Sequence, residues 1–273
     1  MLLPEFIPSV SGLSNVLLTL QTVDQNLRNL SGHSGSERLQ SYQRWSNEAA
    51  RSLGFVFDPA DVERMVLTPR HWVLQGWASP AAGDLNNLID VEQTDRVRLF
   101  ERLLRQYQEL EMQWGSSELT LVAPDTNVYL QTADYFDEID WCTVSGRVRT
   151  RVIVPITVVK EIDKHKHTYK KVKVKNKEGK REEVEIATRA RSSAWRLRQT
   201  IADPTKVAQL PLGAEMELLL DPLTHRRMDD ADSEIIDRLL ALKQLTGHQV
   251  SVVTQDGNMQ FVAKINGLDV LPL

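Results

Sequence analysis

The chain has 273 residues, 41% hydrophobic and 26% charged, enough apolar material to pack one large domain or two ordinary ones. A single cysteine, Cys142, excludes a disulfide framework, and 13 glycines with 11 prolines exclude collagen-like and low-complexity classes. The formal net charge is −4, no positive charge precedes Arg28, and no apolar run nears the roughly 20 residues that span a bilayer. The expectation is a soluble cytoplasmic protein with no export signal and no membrane anchor.

Leu13, Val16, Leu17, Leu20, Val23, Leu27 and Leu30 recur at spacings of three and four, which predicts a first helix with Ser11 available to cap it. Small and polar residues over 31–36 end it. A second helix is expected over 37–53 through Leu39, Tyr42, Trp45 and Ala49. Asp58-Pro59 begins a turn, and Pro69 and Pro80 punctuate a stretch containing Trp72 and Trp77. A long amphipathic helix follows over about 85–112, its apolar face reading Val97, Phe100, Leu103, Leu104, Tyr107 and Leu110, ending near Trp114. Gly115-Ser116-Ser117 then breaks the pattern, and we place a domain boundary there, with a mostly helical domain of unassigned role over 1–117 and a second domain over 118–273. The four tryptophans before the break are expected in the core.

Beyond it, short β-branched runs alternate with helices. Strands are expected over 119–123, 151–154, 216–220, 250–254 and 269–271, and helices after Thr126, from Ile156, and over 187–201, 232–244 and 257–265. That order predicts an α/β domain, doubly wound on a mainly parallel sheet, with ligands gathered beyond the carboxyl ends of the strands.

Residues 160–200 hold fourteen basic and six acidic side chains in an otherwise acidic chain, including nine lysines that start with Lys160. Such a patch is expected of a surface that meets phosphates, although a solvated hairpin has the same composition. Lys171-Val172-Lys173-Val174-Lys175, a turn over 177–180, and the return through Val184 and Ile186 predict a half-buried β-hairpin within a basic insertion at about 164–200. The helix after it carries Arg189, Arg191, Arg196 and Arg198. Contact with an RNA backbone is expected from Lys164, Lys166, Arg191 and Arg198. Tyr169 and Trp195 are candidates for stacking on bases, the commoner role for each being core. Lysines beside His165 and His167 favour a solvated loop over a cation site there.

The acidic residues carry the chemistry. Asp125 follows the first strand of the second domain, Glu161 lies in the first turns of the helix after the next strand, Asp232 opens a helix, and Asp256 follows a strand directly. All four map to one edge of one sheet, where each could equally cap a helix or be solvated. Four carboxylates at one rim repel one another unless positive charge sits among them. Mg²⁺ or Mn²⁺ suits an all-oxygen donor set, and such a cluster suits phosphodiester hydrolysis.

Asp125-Thr126-Asn127-Val128, then Val154-Pro155-Ile156 with Glu161-Ile162-Asp163, then Asp232-Ser233-Glu234-Ile235-Ile236 and Val253-Thr254-Gln255-Asp256, resemble the PIN-domain nucleases over about 119–273. The resemblance implies a three-layer α/β/α fold and a metal-dependent ribonuclease acting mainly on single-stranded RNA. It assigns Asp125, Glu161, Asp232 and Asp256 to the family's four acidic positions, Asn127 and Thr254 to small polar supporters of those carboxylates, and Asp163 to an additional acidic position found in part of the family. The charged hairpin and the appended first domain depart from compact members. Two rivals stand beside this reading. A haloacid-dehalogenase-like phosphatase would want a second aspartate where Asn127 stands, and a PIN-like RNA-binding or scaffolding protein would carry the acids without turnover. A second copy of the chain, or an inhibitory protein, stays open as a partner.

Overall fold

Leucine and valine at every third or fourth position build the helical part of the molecule. The computed structural model describes residues 1–9, 12–76, 82–115, 119–175 and 181–273. The chain divides into two units, one of Phe6–Gly115 with Gln244–Gly247, the other of Met1–Glu5, Ser116–Lys243 and His248–Leu273. In the first, α1 (Leu13–Arg28) buries Leu13, Val16, Leu17, Leu20, Val23 and Leu27. The Ser34 hydroxyl accepts from the Glu37 amide and so caps α2 (Gly35–Leu53), which buries Leu39, Tyr42, Trp45, Ala49 and Leu53. The turn expected at Pro59 is instead a short helix, α3 (Pro59–Met65), and Pro69, expected only to punctuate its stretch, starts another, α4 (Pro69–Gln75). Proline at the first helical position loses no hydrogen bond there and presets φ, so it starts these helices rather than breaking them. The long α5 (Ala82–Trp114) buries Leu85, Ile89, Phe100, Leu103, Tyr107, Leu110 and Trp114, and packs against α1 and α2. Trp45 and Trp114 are core as expected, but Trp72 is 60% exposed, because the two-turn α4 turns only His71 and Leu74 inward. Ser11, Trp77, Pro80 and the segments 116–117 and 177–180 lie outside the described residues.

The second unit runs β1 (Thr120–Pro124), α6 (Thr126–Gln131), α7 (Trp141–Ser145), β2 (Thr150–Pro155), α8 (Ile156–His165), β3 (Lys171–Lys175), β4 (Arg181–Glu185), α9 (Ile186–Thr200), β5 (Ala208–Gln209), β6 (Glu215–Leu219), α10 (Ala231–Thr246), β7 (Val250–Val253), α11 (Gly257–Ile265) and β8 (Asp269–Leu271). The main sheet has the order β5-β6-β2-β1-β7-β8 and is parallel throughout except for β5. β1, β2 and β7 are buried at every position, as strands covered on both faces must be. After β1 the chain moves outward through β2 to β6, then returns to the other side of β1 for β7. The carboxyl ends of β1 and β7 therefore flank a topological switch point. No helix among the described residues is long and apolar enough to cross a membrane.

Arg151 on β2 locks the sheet to β6. In register it faces Glu215, whose carboxylate receives Nε at 2.8 Å, while Nη1 reaches Glu217 at 2.9 Å. Glu217, which is buried, also pairs with the Met1 ammonium at 3.0 Å.

β3 and β4 form a separate two-stranded sheet in which Lys171 faces Glu185, Lys173 faces Glu183 and Val172 faces Val184. Cross-strand pairs of opposite charge offset much of the hairpin's cationic character. α9, included with the hairpin in the sequence-based insertion, is a packed helix. Its Ile186, Ala187, Ala190, Ser193, Ala194 and Leu197 are buried, and it lies against α6 and α8. Two of its arginines serve the fold. Arg189 donates to the carbonyls of Thr132 and Asp134, Arg196 pairs with Asp137 and Glu138, and both guanidinium groups stack on Tyr135, at 3.6 and 3.9 Å from its ring centre.

Candidate active site

β1 ends in Pro124, which cannot donate to a ladder, and Asp125 follows as the N-cap of α6, its Oδ1 accepting from the Val128 amide at 2.9 Å. The same construction recurs beyond β7, where Asp256 caps α11 by accepting from Met259 through Oδ1 at 3.0 Å. Capping uses one oxygen of each carboxylate, so it does not compete with a second role for the other. Thr254 joins the two: its hydroxyl donates to Asp125 Oδ2 and accepts from the Asp256 amide at 3.0 Å. The hydroxyl of Thr126 donates to Glu161 Oε2 at 2.5 Å, which ties α8 to the start of α6.

Asp232 sits one residue inside α10. The cap there is Asp230, which accepts from both the amide and the hydroxyl of Ser233, at 2.8 and 2.7 Å. Asp232 is thus not a cap. Burial, with repulsion from Asp230, Asp256, Glu161 and Asp125, pushes its carboxyl up to about 6. Asp125, only 2% exposed, is also raised, by burial first, against the hydrogen bonds it accepts from Thr254 and Val128. Side chains from four separate stretches of sequence therefore act on one another at the carboxyl edge of the sheet.

A cavity of about 370 Å³ at this edge is lined by Asp125, Asn127, Gln131, Thr132, Gln255 and Asp256, among others. Glu161 and Asp232 do not line it. Through Gln131, Thr132 and Gln255 it shares walls with a groove of about 760 Å³ that extends to Asp140, Lys173 and Leu273. Asn127 accepts from Gln131 through Oδ1. Asp163 pairs with Lys166 and is not among the acids acting on Asp232. Of the basic residues expected to hold RNA, Lys164, Arg191 and Arg198 are exposed. Lys166 is half-buried beside Asp163, and Arg191 donates to the Lys166 carbonyl at 3.2 Å.

Sequence reasoning passed over Gln131, gave no role to Thr126 or Gln255, and took Asp230 for a surface charge or a supporting group beside Asp232. Thr126 carried a usable signal, a hydroxyl next to the strand-end aspartate. It also passed over a second group. Among the described residues, Asp221, His225 and Glu234 form the set of three metal-type side chains whose ligand atoms lie within 4.8 Å of one another, a spacing that no three of the strand-end acids meet. Protein partners already satisfy this set. Glu234, 1% exposed, accepts from His225 Nε2 and the Met228 amide, both at 2.8 Å, and Asp221 pairs with Arg227 at 3.0 Å. These bonds fasten the loop between β6 and α10 to the first turn of α10, which carries Asp232.

A family model described as PIN domain matches residues 122–272. The chain belongs to the PIN-domain family. No curated protein matches its sequence. PIN domains are generally metal-dependent nucleases, and the membership removes the phosphatase rival.

Linkage gives this PIN domain a pH signature. A carboxyl whose pKa is raised in the fold favours the folded state while protonated, below its ordinary value of 3.8, and that contribution is lost as pH rises through about 6. A bound divalent cation offsets the repulsion above that range. Mn²⁺ should therefore raise the thermal midpoint more at about pH 7.5 than at about pH 5. Equal increments at both would place Asp232 outside the cation's reach.

Proposed function

We propose that the protein is a divalent-metal-dependent ribonuclease that hydrolyses phosphodiester bonds in single-stranded RNA. The observation that carries this reading is that Asp125, Glu161 and Asp256 all act electrostatically on Asp232 at one sheet edge in a PIN domain. These four would hold Mg²⁺ or Mn²⁺, with Asn127 and Thr254 in support, and Asp163 stands apart on the outer surface. When bound, such an ion supplies Lewis acidity, making water a better nucleophile at neutral pH and offsetting charge on the phosphate. Thr254 holds Asp125, and Thr126 holds Glu161, in fixed orientation. Asp232 gives up its proton near neutrality and so adds negative charge where a cation is to be held. The groove that leaves the acidic cavity toward Lys173 offers a path for the strand, with Lys164, Lys166, Arg191 and Arg198 as further phosphate contacts.

Cleavage of labelled single-stranded RNA, duplex RNA and DNA in Mg²⁺, Mn²⁺ and chelator tests the reading. Metal-dependent loss of single-stranded RNA is expected. Binding without cleavage in either metal would favour a PIN-like RNA-binding or scaffolding protein instead.

A further inference from the structure

Tyr169 and Trp195, for which core was the commoner expectation, lie on the surface. Tyr169 is 100% exposed, in the connection between α8 and β3, and Trp195 is 63% exposed on α9. Their neighbours set them apart from incidental surface aromatics. Arg191, Trp195 and Arg198 stand four and three residues apart and so share one face of α9, on the side away from its buried Arg189 and Ser193. Arg191 bonds a neutral carbonyl, that of Lys166, and keeps its charge available; that bond also brings the start of the Tyr169 connection beside α9. Lys164 and Arg198, both exposed, carry no ion pair among the described residues. The other two arginines of α9 are consumed by Asp137, Glu138 and the carbonyls after α6. This face therefore keeps cationic charge that Arg189 and Arg196 of the same helix spend internally.

We propose that the outer face of α9, with Trp195 between Arg191 and Arg198 and with Tyr169 beside it, is a stacking platform for unpaired bases of a single-stranded RNA. The choice of RNA as occupant rests on the ribonuclease reading; the face itself does not. An exposed indole between two guanidinium groups offers a flat apolar surface for a base and two charges for the flanking phosphates. Single-strand binders combine these elements without sequence preference. A duplex hides its base faces and would meet only the charges.

The test uses the full chain with Asp125→Asn, so that RNA survives the measurement, and a labelled oligouridylate of about a dozen nucleotides. Adding Trp195→Ala should weaken binding roughly tenfold, while Trp195→Phe, which still stacks, should keep most of the affinity. Arg198→Ala should lower the slope of log affinity against log salt by about 0.7. A duplex of the same length should be indifferent to Trp195→Ala. Unchanged oligouridylate binding by a folded Trp195→Ala protein would overturn the proposal and leave the face to a protein partner. So would a Phe variant as weak as the Ala variant, or an equal loss for the duplex. Failure of the unaltered protein to cleave RNA would end the nuclease reading alone, since the binding comparison needs no turnover.

Discussion

Asp125→Asn should reduce RNA cleavage by at least about a thousandfold, roughly 4 kcal/mol of lost transition-state stabilisation, and leave the protein folded. The loss follows from position. Asp125 is the most enclosed of the four acids, and it is held by Thr254 on one oxygen and by the first turn of α6 on the other. An amide in its place removes the charge that a cation requires. The fold survives because asparagine caps a helix as well as aspartate does, so the Val128 amide keeps its acceptor, and the Thr254 hydroxyl can turn to accept from the new NH₂ group. Removing a desolvated charge also relieves Asp232 and Asp256. Cleavage rates set beside circular dichroism melts check both halves. A folded variant that cuts at the original rate would remove Asp125 from the chemistry.

Arg151→Ala should destabilise the second unit by about 1.5–3 kcal/mol in chemical denaturation. The arginine spans the buried seam between β2 and β6, and its loss takes the guanidinium from both Glu215 and Glu217, leaving the Met1 ammonium to neutralise the buried Glu217. A buried ion pair as a whole is worth far less than the damage done by removing one member. The double variant Arg151→Met with Glu217→Leu should recover only part of the stability, because the buried Met1 ammonium then loses its carboxylate. A loss under about 1 kcal/mol for Arg151→Ala would mean that the Met1 ammonium alone is enough to neutralise Glu217. β2 leads directly into α8, so partial unfolding along this seam should also weaken cleavage through Glu161.

The second unit was largely legible because its signals are local. Runs such as Leu121-Val122-Ala123 and Val152-Ile153-Val154 announce strands buried on both faces, and an aspartate after each of β1 and β7 marks the sheet edge. The family resemblance then assigned the acids their places. What escaped depends on tertiary partners. Nothing local distinguishes Arg189 and Arg196, which clamp Tyr135, from Arg191 and Arg198, which face outward, since all four lie in one basic helix. The hairpin's lysines looked available because their acidic neighbours Glu183 and Glu185 come close only through strand register. The α3 helix was read as a turn and α4 was missed because proline was weighed as a breaker where it acts as a starter. Asp232 opens α10 as a non-capping carboxylate, as expected of a ligand, but that Asp230 supplies the cap is revealed only by the Ser233 bonds.

Calorimetric titration of Mn²⁺ into the unaltered protein and into Asp125→Asn, Glu161→Gln, Asp232→Asn and Asp256→Asn tests the shared cation site most directly. One binding event, weakened tenfold or more by each of the four changes and untouched by Asp221→Asn, is the expected result. Affinity that survives the four changes, or that vanishes with Asp221→Asn instead, would contradict a cation site at the strand ends.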